Sequence, residues 1–115
     1  MIRLNGATAG MGKLIYGSPG VEIEFDDRVL AHLRVVIVTK LRRAESFTMQ
    51  YAYGPESAAG HASLWLHPSI PLQFKFYGSK EPVLNRAWIE ALMVGASSTV
   101  GLHLLPEPDP SNLPH

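Results

Sequence analysis

Ala7-Thr8-Ala9-Gly10-Met11-Gly12-Lys13 resembles the spacing of a phosphate-binding loop. That loop needs Ser or Thr after its lysine to hold Mg²⁺, and a helix directly behind it to aim backbone amides at the phosphates. Here Leu14 follows and a strand pattern begins, so no nucleotide loop is expected. The five histidines, His32, His61, His67, His103 and His115, include no pair at the i, i+4 spacing of a helical zinc site. His61 and His67 could meet only by assembly in space, and they read as solvent-facing strand residues, so no metal is expected. Glu22 and Glu24 lie on one face of a strand and read as a solvated edge. Asp26 and Asp27 read as a helix cap and a first-turn charge. Ser97 and Ser98 lack the Gly-x-Ser-x-Gly elbow. Zero cysteine removes thiol catalysis and zinc ribbons and suits a reducing cytoplasm. No nucleophile, base and orienter can be named together, so the residues point to a non-catalytic protein without a cofactor.

The elements that position these residues follow from periodicity. Lys13 to Tyr16 and Val21 to Phe25 read as a hairpin around Gly17-Ser18-Pro19-Gly20. Asp26 occupies an N-cap position, with Phe25 before it and Leu30 at the hydrophobic-staple spacing. The helix that starts there carries Leu30, Leu33, Ile37 and Leu41 on one face and ends in Lys40, Arg42 and Arg43, which complements its dipole. β-branched Val35 to Val38 would also suit a strand, and the two helix-end signals decide for helix. Ser46 to Tyr53, Ala62 to His67 and Leu72 to Tyr77 alternate as three strands, joined by Gly54 to Gly60 and by Pro68-Ser69-Ile70-Pro71. Pro82 at a first-turn position announces a second helix with Leu84, Ala87, Trp88, Ala91 and Leu92 inward, closed by Gly95 or Ser97-Ser98. Val100 to Leu105 reads as a last strand. The order ββα-βββα-β is that of an α+β two-layer sandwich, two helices covering one face of a mostly antiparallel sheet.

The chain of 115 residues balances 10 Lys+Arg against 10 Asp+Glu. That neutrality argues against bulk electrostatic binding to nucleic acid or membrane. Residues 1–10 lack the apolar run of about 7–15 residues that a secretory signal needs and read as a leader or upstream extension. Residues 11–106 read as one domain, and 107–115, rich in proline, as a flexible tail. No apolar run approaches the roughly 20 residues of a membrane span.

Alternation also predicts a surface. With Leu64, Leu66, Leu72, Phe74 and Phe76 facing the helices, Trp65, His67, Lys75, Tyr77, His61 and Gln50 fall on the uncovered side, an amphipathic platform suited to a protein partner or second copy. Flat rings beside a cation also suit base stacking. An alternative basic surface is the outer arc of the first helix, with Arg28, His32 and Arg43.

Met11-Gly12-Lys13-Leu14-Ile15-Tyr16-Gly17-Ser18, Val21 to Leu33, Lys40-Leu41-Arg42-Arg43, Trp65 to Leu72 and Leu84-Asn85-Arg86-Ala87-Trp88 resemble a family of small actinobacterial proteins. Its members form a domain of unknown function and often carry the label ATP-dependent DNA ligase by automatic transfer. The resemblance runs from Met11 to about Pro108 and implies no functional residue. A ligase of that kind needs its nucleophilic lysine in a Lys-x-Asp-Gly segment. Lys13, Lys40, Lys75 and Lys80 are followed by Leu-Ile-Tyr, Leu-Arg-Arg, Phe-Tyr-Gly and Glu-Pro-Val, so ligase catalysis is not expected. The sequence therefore leads to a cytoplasmic, non-catalytic binding module acting through its open sheet face, as a homodimer or with another protein. Its rival is a nucleic-acid-binding accessory of DNA or RNA processing.

Overall fold

The computed structural model describes residues 11–110. The expected leader at 1–10 and the end of the tail, 111–115, lie outside the described residues. In chain order the elements are β1 (Met11–Tyr16), β2 (Val21–Asp26), α1 (Asp27–Arg42), β3 (Phe47–Tyr53), β4 (Gly60–Leu66), β5 (Leu72–Lys75) and α2 (Arg86–Ala96), with a 3₁₀ turn at Glu56–Ala58. The architecture is α+β. Where one sheet was expected, the strands form two: β2-β1-β5, and the pair β3-β4, all antiparallel. α1 packs on β1 and β2, and α2 on β3, so the helices cover one side of both sheets.

Asp26 caps α1 as its position predicts, its carboxylate accepting the Arg28 N–H at 2.8 Å. The helix ends in a Schellman arrangement: the N–H of Ala44 donates to Leu41 O and that of Glu45 to Lys40 O. Ala44 takes the left-handed position with φ 60°. Leu14, Tyr16 and Ile23 from the first sheet meet Leu30, Leu33, Val36 and Ile37 of α1. Phe47, Met49 and Leu66 of the second meet Trp88 and Leu92 of α2. The fully buried leucines each contribute roughly 1.5–3 kcal/mol by transfer from water. His32 lies 4.6 Å from the Trp88 ring near the start of α2, while Lys40 Nζ reaches Ser97 Oγ beyond its end. The two helices therefore run side by side in the same direction.

Three elements depart most from the sequence expectation, the first two because a polar side chain captures the backbone. β5 stops at Lys75 because the N–H groups of Tyr77 and Gly78 donate to the Asp27 carboxylate, at 3.0 and 2.9 Å. α2 begins at Arg86 rather than near Pro82, because Asn85 Oδ1 accepts from Ala87 N at 3.0 Å and Trp88 N at 3.4 Å. Leu84, expected inward, is consequently exposed. The expected strand from Val100 to Leu105 contracts to one parallel bridge at Leu102, with Leu102 N donating to Thr48 O and Gln50 N to Leu102 O. Gly101, at φ +95°, makes that approach possible: a Cβ there would sit 2.6 Å from Thr48 O.

The proline-rich segment is fastened at its start rather than loose. Glu107 receives Arg28 Nε at 2.9 Å and Nη2 at 2.5 Å, and Asn85 Nδ2 at 2.8 Å, and Asn85 also donates to Pro108 O at 2.9 Å. These hydrogen bonds from Arg28 first, then Asn85, hold the Glu107 carboxyl at about 2, below the usual carboxylate range.

Two expectations follow. Ala44→Gly relieves the left-handed penalty on a residue with a Cβ and should raise the urea-unfolding free energy by about 0.5–1 kcal/mol. Because the folded state favours ionised Glu107, its contribution is present above the usual carboxylate pKa of about 4 and lost as pH falls toward about 2. Wild type should therefore exceed Glu107→Gln in melting temperature at pH 7, and the gap should close over that acid window. A gap that stays constant with pH would contradict the ion pair.

Candidate functional site

The two sheets present different open faces. On β2-β1-β5 the face away from the helices carries Glu22 and Glu24, then Lys13 and Ile15, then Gln73 and Lys75, with Lys13 and Lys75 in register. Lys13 Nζ donates to Glu22 Oε1 at 3.0 Å. On β3-β4 the cross-strand pairs Thr48/Trp65, Gln50/Ser63 and Ala52/His61 form a face with no formal charge. Ser63 Oγ donates to Gln50 Oε1, and Gln50 Nε2 donates to Val100 O at 3.0 Å, so both ends of the amide are held. Trp65 is 58% exposed on this face, while Leu66 beside it is fully buried.

The sheets are tied at one hydroxyl. Tyr16 Oη donates to Trp65 O and accepts the His67 N–H at 3.1 Å. These groups point away from β3, since the backbone alternates sides along a strand. A buried phenol with both roles used fixes the end of β4 against β1.

At the other end the β3-β4 face slopes into a trough of about 460 Å³ between β2, β3 and the segment after Gly101. Leu33, Met49 and Leu102 line its floor; Gln50, His61 and His103 stand at its margin. A second cavity of about 530 Å³ continues along β2 and shares Tyr51 and Ala52. Both volumes lie within the range of about 300–1,000 Å³ of ligand sites. His103 Nδ1 donates to Gly101 O at 3.2 Å, the carbonyl being able only to accept.

Of the sequence-predicted platform, Trp65, His61 and Gln50 share one sheet and one face. His67 follows at the end of β4, its Nδ1 within 3.1 Å of Ser69 N and 2.8 Å of Ser69 Oγ. Lys75 is on the other sheet, and Tyr77, 69% exposed, is held by Asp27 at the start of α1. The basic arc of α1 does not assemble. His32 is fully buried: Asn85 N donates to its Nε2 at 2.7 Å, so the ring proton is on Nδ1 and donates to Arg28 O at 2.7 Å. Both nitrogens are consumed, which leaves none for a ligand or a proton transfer. Arg28 is engaged with Glu107 and Val83 O, while Arg43 stands exposed at the helix end.

Sequence reasoning missed the convergence of Arg28, His32, Asn85 and Trp88. Its signal was Asn85 immediately before Arg86-Ala87-Trp88, an N-cap residue ahead of an apolar run. Among the described residues no group of three His, Cys, Asp or Glu is placed to hold a metal ion, and no helix is long and apolar enough to cross a membrane. A family model described as a domain of unknown function, DUF7882, matches residues 11–107, which run from β1 to the clamped Glu107. No curated protein and no solved structure matches the chain significantly.

Tyr16 and Trp65 should separate in mutagenesis. Tyr16→Phe leaves the Trp65 carbonyl and His67 amide without their partner and should cost about 1–3 kcal/mol in urea unfolding. Trp65→Ala, at an exposed position, should cost about 1 kcal/mol or less. Equal costs would mean that Trp65 packs into the core rather than facing outward.

Proposed function

The chain belongs to the DUF7882 family, domains of unknown function, and from that premise we propose that it is a small non-catalytic binding module. It holds a protein partner, a second copy of itself first among the candidates, on the open face of β3-β4. The observation that carries this reading is Trp65, 58% exposed on an uncharged face that runs into the trough. Tryptophan is among the residue types that most often anchor protein interfaces. The absence of formal charge on Thr48, Gln50, Ala52, His61, Ser63 and Trp65, with histidine neutral, lets two such faces meet without like-charge repulsion.

The nucleic-acid reading asks for cations beside the stacking ring. Lys75 stands on the other sheet, opposite Lys13, and Arg28 is occupied by Glu107. The protein-partner reading is therefore the better supported.

Sedimentation across micromolar to millimolar concentration, together with quantitative affinity capture from the native host, tests it. Trp65→Ala should weaken self-association or retention of a captured partner by about 2 kcal/mol, roughly thirtyfold, while Val94→Ser on the outer side of α2 leaves both unchanged. A chain that stays monomeric and whose captured proteins are indifferent to Trp65→Ala refutes the proposal. Binding to single-stranded DNA or RNA that falls steeply with salt would replace it with the nucleic-acid role.

A further inference from the structure

A second surface lies on the helix side of the molecule, and it is already occupied. Leu105 to Pro108 crosses the starts of α1 and α2 without joining a strand or helix. Three side chains from elsewhere in the chain grip it. Trp88 Nε1 donates to the Leu105 carbonyl at 3.0 Å. Arg28 takes both oxygens of Glu107, through Nε and Nη2. Asn85 Nδ2 donates to Glu107 Oε2 at 2.8 Å and to the Pro108 carbonyl at 2.9 Å. Every one of these contacts is made to a carbonyl or a carboxylate of the segment. That is how a receptor reads an extended proline-bearing peptide, which has few N–H groups to offer.

The gripping groups are held independently of what they grip. With the segment in place Asn85 is 5% exposed and Trp88 4%. The Asn85 backbone N–H is fixed on His32 Nε2, and its side-chain oxygen on the first amides of α2. The His32 ring, anchored on Arg28 O, lies against Trp88. Arg28 is braced by Val83 O at 2.6 Å. Donors oriented by α1, by the start of α2 and by the Val83 carbonyl, and not by the segment they hold, make a preorganised site.

We infer that Arg28, Asn85 and Trp88 form a recognition site for extended acidic segments of the type Leu-Pro-Glu-Pro, that residues 105–108 are its resident occupant in cis, and that a partner protein's segment of the same chemistry displaces them in trans. The bidentate arginine selects a carboxylate, the two carbonyl contacts select an extended backbone, and the partly buried Leu105 supplies an apolar anchor. A tethered occupant competes at an effective concentration on the order of millimolar. A free peptide of equal affinity therefore has little effect on the wild-type chain and binds once the strap is weakened. This site is independent of the open face of β3-β4.

The test uses the full chain carrying Glu107→Gln, ¹⁵N-labelled, with the Trp88 indole N–H as reporter and the blocked peptide Leu-Pro-Glu-Pro-Asp-Pro as probe. Glu107→Gln alone should shift the Trp88 indole resonance away from its wild-type position, and the peptide should return it. A peptide with Gln in place of its Glu should bind about tenfold or more weakly, and the wild-type chain should need a large excess of peptide to respond. An indole resonance unmoved by Glu107→Gln overturns the claim that Glu107 holds the strap. A shifted resonance that millimolar peptide fails to restore overturns the recognition site. A wild-type dimer that Glu107→Gln dissolves assigns the site to a second copy's strap and overturns the foreign partner.

Discussion

One amide holds the helical half of this fold together. Asn85 spends every hydrogen-bonding group it has. Its side-chain oxygen caps Ala87 and Trp88, its side-chain nitrogen serves Glu107 and Pro108, its N–H goes to His32, and its carbonyl receives Ile89 at 3.1 Å. No other residue type does all of this. Serine or threonine caps a helix but has no second donor arm, and aspartate would cap while turning a charge toward Glu107. The position is nearly closed to water, so any group left without a partner would cost about 1–3 kcal/mol. Because His32 and Arg28 belong to α1, Asn85 to the start of α2 and Glu107 to the strap, the register of three chain segments follows from one side chain.

That convergence explains why part of the molecule was legible in the sequence and part was not. Period-2 alternation assigned Trp65, His61 and Ser63 to the open side and Leu64 and Leu66 to the covered side, and the structure agrees for each. Asp26 capped its helix as its type predicts. Alternation says which way a side chain faces but not which strand lies beside which, so it does not reveal the division into two sheets, and Lys75, which it places on one face with Trp65, lies on the other sheet. His32 was misread for a related reason. On the helical wheel it falls away from Leu30 and Leu33, but α2 covers that flank of α1 and widens its buried stripe to include Ala31, His32 and Lys40. Periodicity reveals contact with one neighbour, and a helix gripped on two sides outruns it. Pro82 misled because a proline permits a helix start without causing one. The hydrogen bonds of Asn85 set the start, and they need only the residue that makes them.

The balanced charge of the chain resolves into a spatial pattern. The open face of β2-β1-β5 is a charged surface in which Glu22 neutralises Lys13. Such exposed pairs are worth about 1 kcal/mol or less and serve mainly to keep the face hydrated. Lys40, nearly buried, is satisfied by Glu45 at 3.1 Å and lies 5.8 Å from the Phe47 ring, closing the far end of α1. The one open face without formal charge among the described strands is that of β3-β4, and it carries the exposed tryptophan. Hydration guards one sheet while the other is left able to lose its water, a difference that net charge conceals.

The two surfaces are joined by one short stretch of chain. Leu102 pairs with β3 and floors the trough, His103 and Leu104 line it, Leu105 is held by Trp88, and Glu107 closes the clamp. How far a disturbance at the clamp travels depends on where this stretch is most firmly fixed. Leu102 is fully buried and bonded through both its N–H and its carbonyl, at 2.8 and 2.7 Å, whereas His103 has one ring contact to Gly101 and Leu104 is about half exposed. The bonds of Leu102 to β3 do not involve the strap. The floor of the trough at Leu102 is anchored on β3 without help from the clamp, and the open face with Trp65 is secured separately by Tyr16. The clamp on the helix side and the open face of β3-β4 are thus fixed by separate sets of hydrogen bonds.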